Sequence, residues 1–492
     1  MGRPISSLGT RTLRGMFWAY GSYVGGRALV LVSVAILARL LSPADFGLVA
    51  FALTVTALLD TVADLGVSQA LIVAPEKDVN RRANTAWTVS VLLGVVLAAL
   101  TAALSPLAGL AFGRSDVAPL LAVLALNFPL RALGITHFAL AQRAIDFRTR
   151  TVAEMADVVV RGTTGVALAF AGAGAWSLVA GYLAGTAAMT IALWLLVPFR
   201  PRPRIERAAL PGLLRFGGAI TVLDILSALI ANIDYVLIGR VLGAADLGLY
   251  TLGFRLPELL IMNLSVVAGL VLFPSFAGLD RRAMGDAFLT SLRYTLMVAV
   301  PVAVALAVLA EPLVLTLFGD RWSASVDVMQ VLVLFSLAVA VGIPAGTAYK
   351  ASNRVDVLVK LGVPRAILAV GSIVVFVGQG IVVVAACQAA VAALFSLIGL
   401  GLASRLLGTG AGRIGAVTWP PLVAGAAMAA PGLVVLAMVD GSLATLLAGA
   451  PAMALVYAAT LWLVAPDAIR RLVRTAFPDG FSGRREAARP HP

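Results

Sequence analysis

Residues 14–50 read RGMFWAYGSYVGGRALVLVSVAILARLLSPADFGLVA. Arg14 and Arg39 stand 25 positions apart, about 38 Å of helix, which is enough to cross a hydrocarbon core of about 30 Å. Between them the only charged side chain is Arg27. Ser42-Pro43-Ala44-Asp45 then interrupts the apolar run, which resumes at Phe46. The stretch reads as one membrane-spanning helix, a tight hairpin and the start of a second span.

The same alternation continues along the chain. Hydrophobic residues make up 61% of the 492 positions and charged residues only 12%, far from the roughly 45–50% and 25% of a soluble domain. Mean hydropathy is +0.99. The fold class is therefore an all-α polytopic membrane protein rather than a β-barrel. Fourteen transmembrane helices are predicted, at 16–41, 46–73, 85–110, 117–140, 152–171, 175–198, 212–242, 247–275, 287–310, 324–349, 356–377, 381–404, 415–438 and 443–465.

The connections carry a second signal. Arg3, Arg11 and Arg14 precede the first span; Lys77, Arg81 and Arg82 follow the second; Arg143, Arg148 and Arg150 follow the fourth; Arg200, Arg202, Arg204 and Arg207 follow the sixth. Every second connection is basic, continuing through Arg281 and Arg282, Lys350 and Arg354, Arg405 and Arg413, and Arg470 in the tail. The positive-inside rule places these connections and both termini in the cytoplasm, with the protein in an inner, cytoplasmic membrane. The net charge of +13 is thereby topological, and no nucleic-acid partner is expected. The first apolar run is too long for a signal-peptide core and is read as a retained helix. Cys387 is the single cysteine, so no intrachain disulfide forms.

An internal repeat organises the spans. Arg39-Leu40-Leu41-Ser42-Pro43-Ala44-Asp45-Phe46-Gly47-Leu48 aligns with Arg240-Val241-Leu242-Gly243-Ala244-Ala245-Asp246-Leu247-Gly248-Leu249, an offset of 201. Arg81-Arg82-Ala83 recurs as Arg281-Arg282-Ala283, and Pro106 with Phe112-Gly113 recurs as Pro312 with Phe318-Gly319. Each half holds six spans, so both share one orientation and form parallel repeats. The predicted organisation is an N-lobe over 1–198, a basic cytoplasmic linker at 199–211, a C-lobe over 212–404, two added helices over 405–465 and a tail at 466–492. Asp45 and Asp246 read as helix N-caps, with Gly47 and Gly248 easing a tight hairpin.

The stretch ILARLLSPADFGLVAFALTVTALLDTVADLGVSQALI at 36–72 resembles polysaccharide flippases of the Wzx type, within the multidrug/oligosaccharidyl-lipid/polysaccharide exporter superfamily. Length, span count and two-half layout extend the likeness over nearly the whole chain. The resemblance implies a V-shaped two-lobe transporter that moves an undecaprenyl-diphosphate-linked oligosaccharide to the periplasmic leaflet, for lipopolysaccharide or other exported polysaccharide biosynthesis. The first two spans of each lobe would line its cavity. The second half reads GAAD where the first reads SPAD, so substrate detail does not transfer between halves.

Charges within the spans are the site markers, because an ionisable group near the bilayer centre costs about 2.5–3.5 kcal/mol on insertion scales and faces a partner or a wet cavity. The candidate substrate-binding residues are Arg27, Arg255, Arg131, Arg161, Arg293 and Arg365, since guanidinium binds phosphate with paired hydrogen bonds. The candidate ion-coupling residues are Asp60, Asp64, Asp224, Asp234 and Glu258. Asp60 and Asp64 share a helix face, and Asp157/Arg161 and Arg255/Glu258 have the spacing of intrahelical ion pairs. His137 is alone in an apolar helix and His491 lies in the tail, so neither metal nor cofactor is expected. With no GxxxxGK[ST] loop, the energy source is a proton or sodium gradient or the membrane potential.

Three functions compete. A lipid-linked oligosaccharide flippase is favoured by arginines mixed with carboxylates. A related exporter of drugs or of the peptidoglycan lipid precursor is the alternative, and a polymerase or ligase enzyme a further one, against which stands the lack of a long aqueous loop. Expected partners are the lipid-linked oligosaccharide, membrane lipids and polysaccharide polymerase machinery.

Overall fold

The computed structural model describes residues 25–64, 71, 79–144, 146–206, 228, 232–262 and 280–466. Helices dominate, and no strand occurs among the described residues. They run α1 (25–40), α2 (Pro43–Asp64), α3 (Val79–Phe112), α4 (Val117–Leu124), α5 (Asn127–Arg143), α6 (Phe147–Phe170), α7 (Ala175–Leu196), α8 (232–241) and α9 (Ala244–Pro257). Beyond these come α10 (Arg281–Val308), α11 (Ala310–Leu317), α12 (Ser325–Ala351), α13 (Val355–Phe376), α14 (Ile381–Leu407), α15 (Ala411–Met438) and α16 (Ser442–Val464).

Ten stretches among the described residues are long and apolar enough to cross a membrane, and each coincides with a predicted span. Of the other four predicted spans, 152–171 is helical in α6 but carries Glu154, Asp157 and Arg161, too many charges for an apolar window. The spans at 16–41, 212–242 and 247–275 fall partly or largely outside the described residues. Between 22% and 56% of each apolar window is buried, and Leu110, Leu195, Leu447, Leu455 and Leu463 stand exposed. That inverted surface is what lipid, rather than water, solvates.

Contacts divide the described residues into two compact units. One runs up to Thr251 and includes Ser372–Val384; the other comprises Leu252–Gly371 and the chain from Ala385.

In the first unit α6 and α7 pack along one another. Gly181 and Gly185 of α7 have the small-xxx-small spacing that lets membrane helices approach. A Cβ on Gly181 would come within 2.8 Å of the Arg161 carbonyl, and one on Gly185 within 2.3 Å of the Asp157 carboxylate. Residues 199–206 of the basic connection leave α7 without regular secondary structure. Their N–H groups at Arg202, Arg204 and Glu206 donate to Asn84, Thr88 and Thr85 on the first turns of α3. His137 is buried there, against the Phe199 carbonyl at 3.2 Å and stacked on Trp194, so it anchors this connection.

The repeated hairpins meet in the same unit. Ser42 caps α2 in a capping box: its hydroxyl accepts from the Asp45 N–H at 3.2 Å, and the Asp45 carboxylate accepts from the Ser42 N–H at 3.0 Å. Asp45 is thus the third helical residue rather than the N-cap. In the second copy Gly243, at φ +98°, takes the serine's place. A Cβ on Gly47 would lie 1.7 Å from the Ala244 carbonyl oxygen, and one on Gly248 1.9 Å from that of Pro43. Since 43 pairs with 244 and 47 with 248 at the repeat offset of 201, the contact is reciprocal, the signature of a two-fold relation.

In the second unit α10, α12 and α14 enclose Phe288, Leu292, Tyr349 and Leu400. Two tyrosine hydroxyls there find partners on neighbouring helices, as a lipid environment demands: that of Tyr349 donates to the Gly399 carbonyl, and that of Tyr457 to the Met297 carbonyl at 2.9 Å.

At the turn before α6, Asp146 is the N-cap, accepting from the Thr149 hydroxyl at 2.7 Å and its N–H at 3.0 Å. Those two bonds, the hydroxyl's first, hold its carboxyl below the usual range. A depressed carboxylate stabilises the fold above its unfolded pKa of about 3.9 and loses that contribution as pH falls through its folded value. Asp146→Ala is expected to lower stability by about 1 kcal/mol at neutral pH, and the difference from the parent should vanish in thermal melts at the acid end of that window.

Candidate functional site

Four helices of the first unit bring charge together inside the membrane. Asp60, near the end of α2, is 7% exposed. It accepts from Asn127 Nδ2 at 3.1 Å, at the start of α5, and from Arg131 Nη1 at 3.1 Å, one turn on. Asn127 Oδ1 in turn accepts from the Thr186 hydroxyl of α7 at 3.0 Å. One turn earlier on α7, the Tyr182 ring lies 4.3 Å beneath the Arg161 guanidinium, a cation–π distance. Arg161 is forked onto Asp157, with bonds of 2.8 and 2.9 Å. Two ion pairs are thus tied by successive turns of α7.

The local sequence explains this placement. The span Val117–Arg143 breaks at residues 125–126, between α4 and α5, so Asn127 opens a new helix and turns inward, 1% exposed. Gly185 provides the space that the Asp157/Arg161 pair occupies. With both carboxylates and both guanidiniums charged, the network sums to zero.

The two arginines differ in what they leave free. Arg161 gives Nε and Nη2 to Asp157. Arg131 commits only Nη1, and its side chain is 54% exposed near the middle of a 27-residue span. A guanidinium at that depth with uncommitted donors among the described residues faces either a water-filled cavity or an anion.

The other candidates are distributed differently. Asp234 on α8 is buried and accepts from the Tyr250 hydroxyl at 2.9 Å. Arg255 donates to Glu258 at 3.1 Å in the second unit, where Pro257 ends α9 and a π-helical turn, Glu258–Met262, follows. Such turns recur at functional positions. Arg27 is half-buried on α1. Arg293 lines a cavity of about 170 Å³ with Met297, Pro420, Pro421 and Leu461. Arg365 is exposed on α13 beside Val363, Ile367 and Leu368, which are also exposed, and joins none of the others. The Asp64 side chain and all of Asp224 lie outside the described residues. Tyr182, Thr186 and Tyr250 were not among the sequence candidates. The four-residue spacing of Tyr182 and Thr186 on a GxxxG helix is the signal that could have found the first two.

Comparison with known proteins accords with this architecture. The family described as "Polysaccharide biosynthesis protein" matches residues 36–327, including the stretch that carried the resemblance. The lipopolysaccharide biosynthesis protein WzxC of Escherichia coli (strain K12) is 29% identical over 374 residues, 75% of this chain and 76% of its own. The succinoglycan biosynthesis transport protein ExoT of Rhizobium meliloti (strain 1021) is 31% identical over 326 residues, 65% of each chain. Among solved structures, the lipid II flippase MurJ in an inward closed conformation is similar in fold, with a TM-score of 0.76 over 93% of this chain and 100% of that one at 13% identity.

Proposed function

The chain belongs to the polysaccharide biosynthesis protein family, and from that premise we propose that it flips an undecaprenyl-diphosphate-linked oligosaccharide across the bacterial inner membrane. It is a membrane transporter, not an enzyme. Both termini and the 199–211 connection face the cytoplasm in this reading, following the arginine alternation.

The observation that carries the proposal is Arg131. Its guanidinium is held in place by Asp60 and keeps donors for an anion, which suits a diphosphate better than a cationic or neutral cargo. Asp60 is a positioning residue, and the Arg161–Asp157 pair, with Tyr182 beneath the guanidinium, braces the same wall without adding net charge.

The membrane potential supplies the drive. Each negative charge leaving a negative-inside cytoplasm is worth about 2.3 kcal/mol per 100 mV. The sign argues against a proton carried on Asp60: it would be taken up when Arg131 turns to the substrate, and would travel outward with it. Access would alternate as the reciprocal Gly47/Gly248 contact, on the periplasmic side in this reading, parts and closes again.

Arg131→Ala tests this. A deletion strain complemented with the variant is expected to accumulate lipid-linked oligosaccharide and to export at most about a tenth of the normal polysaccharide, with Arg131→Lys rescuing only part because it lacks the fork. Normal export at normal protein level would refute the assignment.

A further inference from the structure

The second unit holds a cavity of about 650 Å³ that the transport site does not use. It opens where α10 and α13 begin and α12 and α14 end, the end of these spans at which the basic connections lie. Arg281, Arg354 and Arg405 line it, and no carboxylate does. Beneath them Met284 and Leu407 are buried, and Val357 and Leu402 complete an apolar floor.

The backbone delivers these arginines by two tight helix ends. After α12, Asn353 adopts φ +53°, the Arg354 N–H donates to the Tyr349 carbonyl and the Asn353 N–H to that of Lys350, a Schellman turn. After α14, Gly408 at φ +68° makes the equivalent turn, with the Thr409 N–H on the Ser404 carbonyl. Arg281 Nη2 donates to the Arg405 carbonyl at 3.2 Å, and Arg354 Nε to Asp356 at 3.1 Å. The Arg405 guanidinium bonds to nothing among the described residues. Most of the donors that three guanidiniums offer are therefore unspent.

We propose that this cavity binds the phosphate headgroup of an anionic phospholipid. Three guanidiniums from separate segments surround a space at the depth where lipid phosphates lie, and the apolar floor suits the glycerol and upper acyl carbons. Basic pockets between spanning helices on the cytoplasmic side have this chemistry. Surface arginines that only set topology need no cavity: Arg413, paired with Asp286, is one such.

Native mass spectrometry of the purified full chain, titrated with phosphatidylglycerol, phosphatidylcholine or inorganic phosphate, tests the proposal. Phosphatidylglycerol should bind in preference to phosphatidylcholine. Its first site should weaken about fivefold in Arg405→Gln and about a hundredfold in the triple Arg281→Gln, Arg354→Gln, Arg405→Gln variant. Arg413→Gln should leave it within about twofold, as befits an arginine outside the cavity. Because the Arg405 guanidinium holds no part of the fold, the single variant decides the matter should the triple variant fail to fold. Equal binding of the two lipids, or unchanged affinity in Arg405→Gln, would overturn the site. Complete displacement of the lipid by inorganic phosphate would assign the arginines to free phosphate and overturn the lipid.

Discussion

Replacing Gly47 or Gly248 by valine is expected to abolish transport while leaving the protein in the membrane. A Cβ at either position would sit 1.7 or 1.9 Å from a backbone carbonyl oxygen, whereas carbon and oxygen approach no closer than about 3.3 Å even in Cα–H···O contacts, so the hairpins must part by about 1.5 Å. The obstacle is backbone, which no rotamer change relieves. Because the contact joins the first turns of α2 and α9, parting it would open the gate proposed above rather than disturb a local loop. A cysteine replacing Ala244, buried here, should react slowly with an impermeant thiol reagent in the parent and quickly beside Gly47→Val, in a Cys387→Ala background. Equal reactivity together with lost transport would mean that valine acts by another route.

Asp60→Ala should be the most damaging change in the charged network. It removes the acceptor from Arg131 and Asn127 at once. Breaking a fully buried pair costs about 3–5 kcal/mol, and half-exposure of Arg131 reduces this to about 2–4 kcal/mol. Lower yield and a lower melting temperature in detergent are the expected readouts. Asp60→Asn separates the roles. Its amide oxygen still accepts from Arg131, so a positioning residue predicts measurable, slower transport driven by membrane potential. A proton-coupling residue predicts that concentrative transport disappears while substrate still binds. Abolished transport with intact binding would contradict the account of the energy source.

The spans were legible because a hydrocarbon solvent demands about twenty apolar residues in a row, and the ten apolar stretches coincide with predicted ones. The repeat was legible as sequence, but the reciprocal packing of Gly47 and Gly248 was not, because glycine is read first as a turn residue. Asp157 and Arg161 declared their pairing by spacing along one helix. The bond from Asp60 to Arg131 could not be read in that way, since 71 residues separate the two and only helix packing joins them. The charge-bearing α6 shows the converse: Glu154, Asp157 and Arg161 deny it an apolar window, and two of those three residues furnish half the network.

Transport itself is tested most directly in proteoliposomes of the purified chain containing a labelled undecaprenyl-diphosphate oligosaccharide, by following its exposure to an added lectin under an imposed membrane potential. Exposure should proceed with the parent protein, accelerate with the potential of the sign that drives anions toward the lectin, and fall at least about tenfold in Arg131→Ala. A rate equal to that of protein-free liposomes, or one unchanged in Arg131→Ala, would contradict the account.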